Sequence, residues 1–296
     1  MNQVAASITA IEAATVHEFS TNEPPSLAAL NGFYYTLTPD LMRADLWAHE
    51  EAPAVPVLVA ASACWDGRQL RAYAWPRTST ARFCDSGGFV FGKKAGGFPF
   101  SLGGYHDWLK VMRPDVAACL DLPCEAEIAA DDAEVERRQR WTLEAAAVLM
   151  SRPAAWRWLP VIQGRTLEQY IAHARAYREA GLVTEYMGIG SLCRRSSIRE
   201  IRAIVGTVAD ELPRVTFHLF GVALRLLTQR VALPPAVASL DSGAWNSRFG
   251  SDIPEFNAEM QVNEWSQRET AIRWALPRYA AKVQAALLRT KQQTWC

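Results

Sequence analysis

The chain has 296 residues, 50% of them hydrophobic and 21% charged, with 31 Lys and Arg balanced by 31 Asp and Glu. That is the composition of an ordinary globular protein with ample chain for a large core, and zero net charge argues against a protein that coats nucleic acid through overall basicity, so a polyanion must be met by a local patch. Cysteines at 64, 84, 119, 124, 193 and 296 form no C-x-x-C pair, and the longest apolar runs, such as Val55 to Ala63, fall far short of the roughly 20 residues that span a bilayer; the expectation is a cytoplasmic protein with reduced thiols.

The first 50 residues are aromatic and irregular. Asn31-Gly32 ahead of Phe33, Tyr34 and Tyr35 reads as a hairpin turn, and the segment is expected to be an extension forming a lid over one end of the fold. Short runs rich in β-branched or aromatic residues then recur: Val55 to Ala61, Ala81 to Cys84, Val116 to Leu120, Leu159 to Ile162, Val183 to Met187, Val215 to Phe220 and Val237 to Leu240. Such runs suit strands buried on both faces. Helical patterns lie between most of them. Asp131 to Ser151 opens with acidic residues, Thr166 to Ala180 carries a capping-box spacing at Thr166 and Gln169, and Ser197 with Glu200 repeats it ahead of Ile201, Ile204, Val205 and Val208. The tail from Asn263 to Lys291 reads as two helices broken at Pro277.

Alternating β and α elements with short links predict a parallel α/β sheet, and seven or eight strands favour closure into a (β/α)8 TIM barrel. The division expected is an N-terminal extension over 1–50, the barrel over 51–260 and C-terminal helices over 261–296, packed on the barrel outside. In such a barrel, chemistry gathers where strands end. Here Asp85-Ser86-Gly87-Gly88-Phe89, Asp121, Gln163-Gly164, Gly188-Ile189-Gly190 and Asp241-Ser242-Gly243 follow the runs. A lone Asp after a strand is most simply a helix N-cap, but three with Gln163 converge on one mouth. Glycines there let a flat heterocycle approach the backbone. Two carboxylates flanking a glycosidic bond can act as acid/base and as nucleophile, and barrel closure would make Asp85 and Asp241 such a pair.

At these residues the chain resembles the tRNA-guanine transglycosylase family. Asp85-Ser86-Gly87-Gly88-Phe89 is similar to its DSGGF signature, Val161-Ile162-Gln163-Gly164 to its V-Q-G strand end, and Tyr186-Met187-Gly188-Ile189-Gly190-Ser191 to its base-contact loop. Phe217-His218-Leu219-Phe220-Gly221-Val222 resembles its H-Y-L-M-G-V strand, and Asp241-Ser242-Gly243 with Asn246-Ser247-Arg248-Phe249-Gly250 resembles the segment of its nucleophilic aspartate. The resemblance implies exchange of a guanine in nucleic acid for a 7-deazaguanine base. It assigns Asp241 as nucleophile at the sugar C1′, Asp85 as general acid/base, and Asp121 with Gln163 to the base edge. Ser86, Gly87, Gly88, Phe89, Gly188, Ile189 and Gly190 complete the implied base pocket.

The departures narrow the resemblance. The zinc cluster of the transfer RNA enzymes has no counterpart, because Cys296 is the only cysteine beyond Asp241 and His218 is the last histidine. No metal or other cofactor is expected. Val90 and the Lys93-Lys94-Ala95-Gly96-Gly97 stretch also depart from the family pattern. The chain is thus most similar to the DpdA branch of phages and bacterial genomic islands, which inserts 7-deazaguanines such as preQ0 into DNA. Implied partners are DNA, with transfer RNA as the alternative, a free base such as preQ0, and a helicase-like protein. Lys93, Lys94, Arg194, Arg195 and Arg248 are candidate phosphate contacts. Phe89, Phe91, Trp65, Tyr186 and Trp245 are candidates for stacking or core. Other readings are a zinc-less transfer RNA transglycosylase, a non-catalytic binding subunit, which the retained Asp85 and Asp241 argue against, a nucleoside hydrolase, and a glycosylase leaving abasic sites.

Overall fold

The apolar runs become strands: β1 (Gly32–Leu37), β2 (Val55–Ala60), β3 (Ser79–Asp85), β4 (Val116–Ala118), β5 (Arg157–Leu159), β6 (Val161–Ile162), β7 (Tyr186–Ile189), β8 (Thr216–Leu219) and β9 (Val237–Ser242). The computed structural model in which they are seen describes residues 26–42, 47, 52–94, 97–222, 233–243 and 276–287. Neighbouring strands are parallel, in the order β5-β4-β3-β2-β1-β9-β8-β7-β6. The two ends of that order, β5 and β6, are separated in the chain by Pro160 alone. Proline cannot donate to a ladder, but the Pro160 carbonyl still accepts from the Gly188 N–H at 2.8 Å. β5 and β6 are therefore halves of one strand, the first paired with β4 and the second with β7. Nine strands less one for the split leave eight positions, and the sheet comes round on itself as the expected (β/α)8 barrel. Pro56 is accommodated inside β2 where its register with β3 shifts, between Val55 and Val57.

Helices cover the strands: α1 (Ala61–Cys64), α2 (Gly88–Lys94), α3 (Leu102–Met112), α4 (Asp132–Met150), α5 (Leu167–Glu179), α6 (Ile198–Glu211) and α7 (276–287). Asp131 caps α4 by accepting from the Glu134 N–H at 2.8 Å. Thr166 and Gln169 form the full reciprocal box on α5. Each such cap contributes about 1 kcal/mol. Ser197 caps α6, but Glu200 turns its carboxylate to Arg195 instead of closing the box. Helix α3 has no counterpart among the sequence-predicted helices. Gly103 and Gly104 weaken its propensity, and burial of Tyr105, Trp108, Leu109 and Met112 offsets that loss. No helix among the described residues is long and apolar enough to cross a membrane.

Residues 32–37 correct one expectation. They form no hairpin lid but the first barrel strand, paired parallel with β2 and β9. The reason is that both faces of the run are apolar: Phe33, Tyr35 and Leu37 pack outward, while Tyr34 fills the barrel interior. A lid hairpin would leave one of those faces in water, at about 1.5–3 kcal/mol for each large side chain exposed. The barrel thus begins inside the segment assigned to the extension. Tyr279 of α7 packs on Phe33 and Tyr35, each with ring centroids 6.1 Å away, so α7 lies in the helix layer over β1.

Alternation along the strands divides the core in two. Val57, Val59, Cys84, Ile162, Met187 and Ile189 join the helix layer, whereas Leu58, Phe83, Val116, Leu159, Val161 and Tyr186 fill the barrel. Two residues beyond Tyr34, Phe83, Val161 and Ser239 come Thr36, Asp85, Gln163 and Asp241. The apolar interior therefore gives way to polar groups at the C-terminal mouth.

Candidate active site

Those polar groups face one cavity of about 410 Å³. Asp85, Asp121, Gln163 and Asp241 all line it, which the sequence anticipated and barrel closure delivers. Asp241 is 7% exposed and held from three sides. Thr36 Oγ1 donates to its Oδ2 at 3.1 Å, and the Gly221 N–H donates to Oδ1 at 2.9 Å. His218 Nε2 lies 3.3 Å from Oδ1, while its Nδ1 is 2.7 Å from Ser239 Oγ, which in turn is 2.5 Å from the Tyr186 hydroxyl. With the carboxylate accepting from Nε2–H, the Ser239 hydroxyl donates to Nδ1 and accepts from Tyr186. This buried relay fixes the Asp241 carboxylate against rotation, with Phe83 and Phe220 packed on the imidazole at 4.7 and 4.6 Å.

Asp121 is bound equally firmly. Ser86 Oγ donates to Oδ1 and Gln163 Nε2 to Oδ2, each at 2.5 Å. A carboxylate has about four lone-pair sites, so that of Asp121 keeps accepting capacity toward the cavity. The Gln163 backbone is anchored by Gln139 Nε2, which donates to its carbonyl at 2.7 Å, and by His173 Nδ1, 2.9 Å from its N–H. Burial pushes the Asp121 carboxyl up to about 6, against the opposing pull of the Ser86 and Gln163 hydrogen bonds. Asp85 is displaced further, to about 8, chiefly by burial and then by the negative charges of Asp121 and Asp241. The Gly87 N–H, donating to Oδ2 at 3.1 Å, only partly offsets this. At neutral pH Asp85 thus holds a proton.

The glycines divide by role. A Cβ on Gly88 would collide with the Asp121 carbonyl, and one on Gly190 with the Gln163 amide, so both positions must be bare for the wall to close. Gly190 also gives its carbonyl to the Tyr170 hydroxyl at 2.8 Å. Gly87 (φ 74°) packs against Ser62 and Gly188 makes room for Phe220, and neither lines the cavity. Ile189 is buried in the helix layer, because alternation turns it away from the barrel axis. Of the three residues in the Gly188–Ile189–Gly190 expectation, Gly190 alone lines the cavity.

Among the stacking candidates, Phe89 lines the cavity, with the Arg194 guanidinium 5.6 Å and Lys93 Nζ 5.9 Å from its ring centroid. Phe91 packs into Phe98 and Phe100, and Trp65 onto Phe100. Tyr186 belongs to the relay. Arg194 lines the mouth and lies 3.6 Å from Glu127. Arg195 is engaged by the fold: it donates to the Ser191 and Arg165 carbonyls at 3.1 and 2.9 Å and pairs with Glu200. Lys94 ends α2, and Trp245 and Arg248 lie outside the described residues. Sequence reasoning missed Thr36, Cys193 and Glu125, which all line the cavity with Ser191 of the base-contact motif, and the partnership of His218 with Asp241. Among the described residues, no group of three or more His, Cys, Asp or Glu is placed to hold a metal ion.

A (β/α)8 barrel with an aspartate pair and an Asp–Gln edge on one cavity at its C-terminal mouth has the make-up of a barrel transglycosylase. The family model of DpdA, DeoxyPurine in DNA protein A, matches residues 49–294, and the chain belongs to that family. Membership implies a transglycosylase with DNA as its substrate. No curated protein matches the chain.

Proposed function

We propose that the protein exchanges guanine in DNA for a 7-deazaguanine base of the preQ0 type, by double displacement at the sugar C1′. The observation that carries this reading is the convergence on one cavity of a firmly held carboxylate, Asp241, and a proton-bearing one, Asp85, beside the Asp121–Gln163 edge. Asp241 attacks C1′, the bond to N9 breaks, and Asp85 gives its proton to the departing guanine. The incoming base then attacks C1′ through N9, releases Asp241 and returns its N9 proton to Asp85. Two inversions leave the configuration retained. Asp121 accepts from N1–H and the exocyclic amine, and Gln163 Nε2 donates to the adjacent O6. Asp85, Asp121 and Asp241 therefore each have one task.

Duplex DNA must release the guanine from its stack, at a few kcal/mol, and Phe89, which lines the cavity, would stack on the flipped base. Lys93 and Arg194, beside Phe89 at the mouth, are suited to phosphate and would make the affinity salt-dependent. The test is to mix the protein with guanine-containing DNA and no incoming base, then denature it. A protein–DNA adduct whose mass maps to Asp241 is the expected result, and guanine release without any adduct overturns the double displacement.

The two perturbed carboxyls also set a pH dependence. Asp121 must be ionised to accept from the base and loses that capacity as pH falls through about 6; Asp85 must be protonated to act as acid and loses its proton as pH rises through about 8. A bell-shaped kcat/KM profile between those limits is expected. A rate still rising above pH 9 would contradict the role of Asp85.

A further inference from the structure

The two oxygens of Asp241 are held unequally. Oδ1 lies against two donors that the fold fixes in place, the Gly221 N–H at 2.9 Å and His218 Nε2 at 3.3 Å. The first is backbone just beyond β8. The second belongs to a fully buried imidazole, tied at Nδ1 to Ser239 and enclosed by the rings of Tyr34, Phe83 and Phe220 at 5.7, 4.7 and 4.6 Å. Among the described residues, Oδ2 accepts only from the hydroxyl of Thr36, at 3.1 Å. β1 pairs with β9 with Tyr34 opposite Asp241, so Thr36 stands two residues nearer the mouth. Thr36 lines the cavity, whereas His218 lies behind its wall.

Formation of a covalent bond to a sugar treats the two oxygens of a carboxylate differently. The one that bonds to carbon becomes the single-bonded oxygen of an ester and loses its charge and most of its power to accept. The other becomes the ester carbonyl and goes on accepting. Oδ1, with two fixed donors, suits the carbonyl. Oδ2, with one hydroxyl that can rotate away, suits the bond to carbon.

Resting on the double displacement proposed above, we propose that Asp241 attacks through Oδ2 and that Thr36 is a further catalytic residue, whose hydroxyl leaves Oδ2 as the bond to C1′ forms and returns to it as that bond breaks. In the first step C1′–Oδ2 forms, C1′–N9 breaks, and guanine departs with the Asp85 proton. In the second, N9 of the incoming base bonds to C1′ and gives its proton to Asp85, and the C1′–Oδ2 electron pair goes back to Oδ2. The Thr36 proton stays on its own oxygen throughout and meets the returning charge. A donor that binds the free carboxylate and not the ester favours release of the adduct. Gly221 and His218 serve both states and are positioning groups.

The test is to incubate the full chain with guanine-containing single-stranded DNA and increasing free guanine, then denature it and measure the fraction of protein in covalent adduct. Free guanine reverses the first step, so the concentration that halves the adduct weighs ester against carboxylate. Thr36→Val keeps the shape of the side chain and loses the hydroxyl, and is expected to raise that concentration about 10- to 100-fold, the range of one hydrogen bond to a charged group. Such a gain in adduct also reports a folded site. Thr36→Ser, which keeps the hydroxyl, is expected to restore the midpoint of the parent. His218→Phe fills the same aromatic space and removes a donor to Oδ1, and should shift the midpoint less than Thr36→Val does. An unchanged or lower midpoint in Thr36→Val, loss of its adduct included, or a larger shift in His218→Phe, overturns the role of Thr36 and leaves the double displacement standing. Absence of adduct from all four proteins, the parent included, overturns the double displacement itself.

Discussion

Asp241→Ala is expected to abolish base exchange, by about 10⁴-fold or more, as removal of a nucleophile does in other covalent enzymes. The expectation follows from how the residue is held. Thr36, Gly221 and His218 fix the carboxylate, and the Ser239–Tyr186 relay stands behind His218. Alanine removes the attacking oxygen and leaves these donors facing a cavity that water can enter, so the loss of stability is modest, about 1–2 kcal/mol. Guanine release from labelled DNA measures the first effect and thermal unfolding the second. Wild-type-like exchange by this variant would refute the assignment of Asp241. Asp241→Asn, which keeps the shape and loses the charge, separates nucleophilicity from packing.

Asp85→Asn carries the second largest effect, and it pulls activity and stability in opposite directions. An amide cannot pass a proton to the leaving base, so exchange falls by about 10²- to 10⁴-fold and the loss of rate through pH 8 disappears. Stability changes the other way. The Asp85 carboxyl ionises near its ordinary value of 3.8 when unfolded but near 8 when folded, so the unfolded chain binds fewer protons between those limits and stability falls as pH rises across them. Asparagine has no such penalty. The variant should melt at higher temperature than the parent at pH 8 and at nearly the same temperature at pH 4, a gain on the order of 1–2 kcal/mol for a half-buried group at a cavity mouth. Equal melting temperatures at both pH values would contradict the electrostatic account of this pocket.

The parts of the molecule legible in the sequence are those specified locally. A run such as Val57-Leu58-Val59 reads as a strand buried on both faces because both faces are covered, and the Thr166–Gln169 box marks its helix because the cap is made within one turn. β1 was obscured by Asn31-Gly32, a turn signal that here only leads into a strand with Gly32 at φ 143°. The glycine pair that weakens α3 hid a helix held by its buried face. At the site, the strand-end carboxylates could be read directly, since barrel geometry requires nothing more than their position after a strand. Thr36 could not: it meets Asp241 across a separation of 205 residues and comes from the strand misread as a lid. Glu125 sits four residues beyond Asp121 in a loop, and Arg195, expected at phosphate, is occupied by Ser191, Arg165 and Glu200, partners that only the folded loops bring to it.

The central claim is that guanine leaves DNA and a 7-deazaguanine takes its place at the same sugar. The most direct measurement is nucleoside composition after incubating the protein with duplex DNA, single-stranded DNA or transfer RNA, each with a free 7-deazaguanine base. The account predicts a 7-deazaguanine deoxynucleoside in DNA, formed in step with released guanine and faster on single strands, where no base needs to be unstacked. Exchange confined to transfer RNA, or guanine lost from DNA with abasic sites in its place, would contradict it.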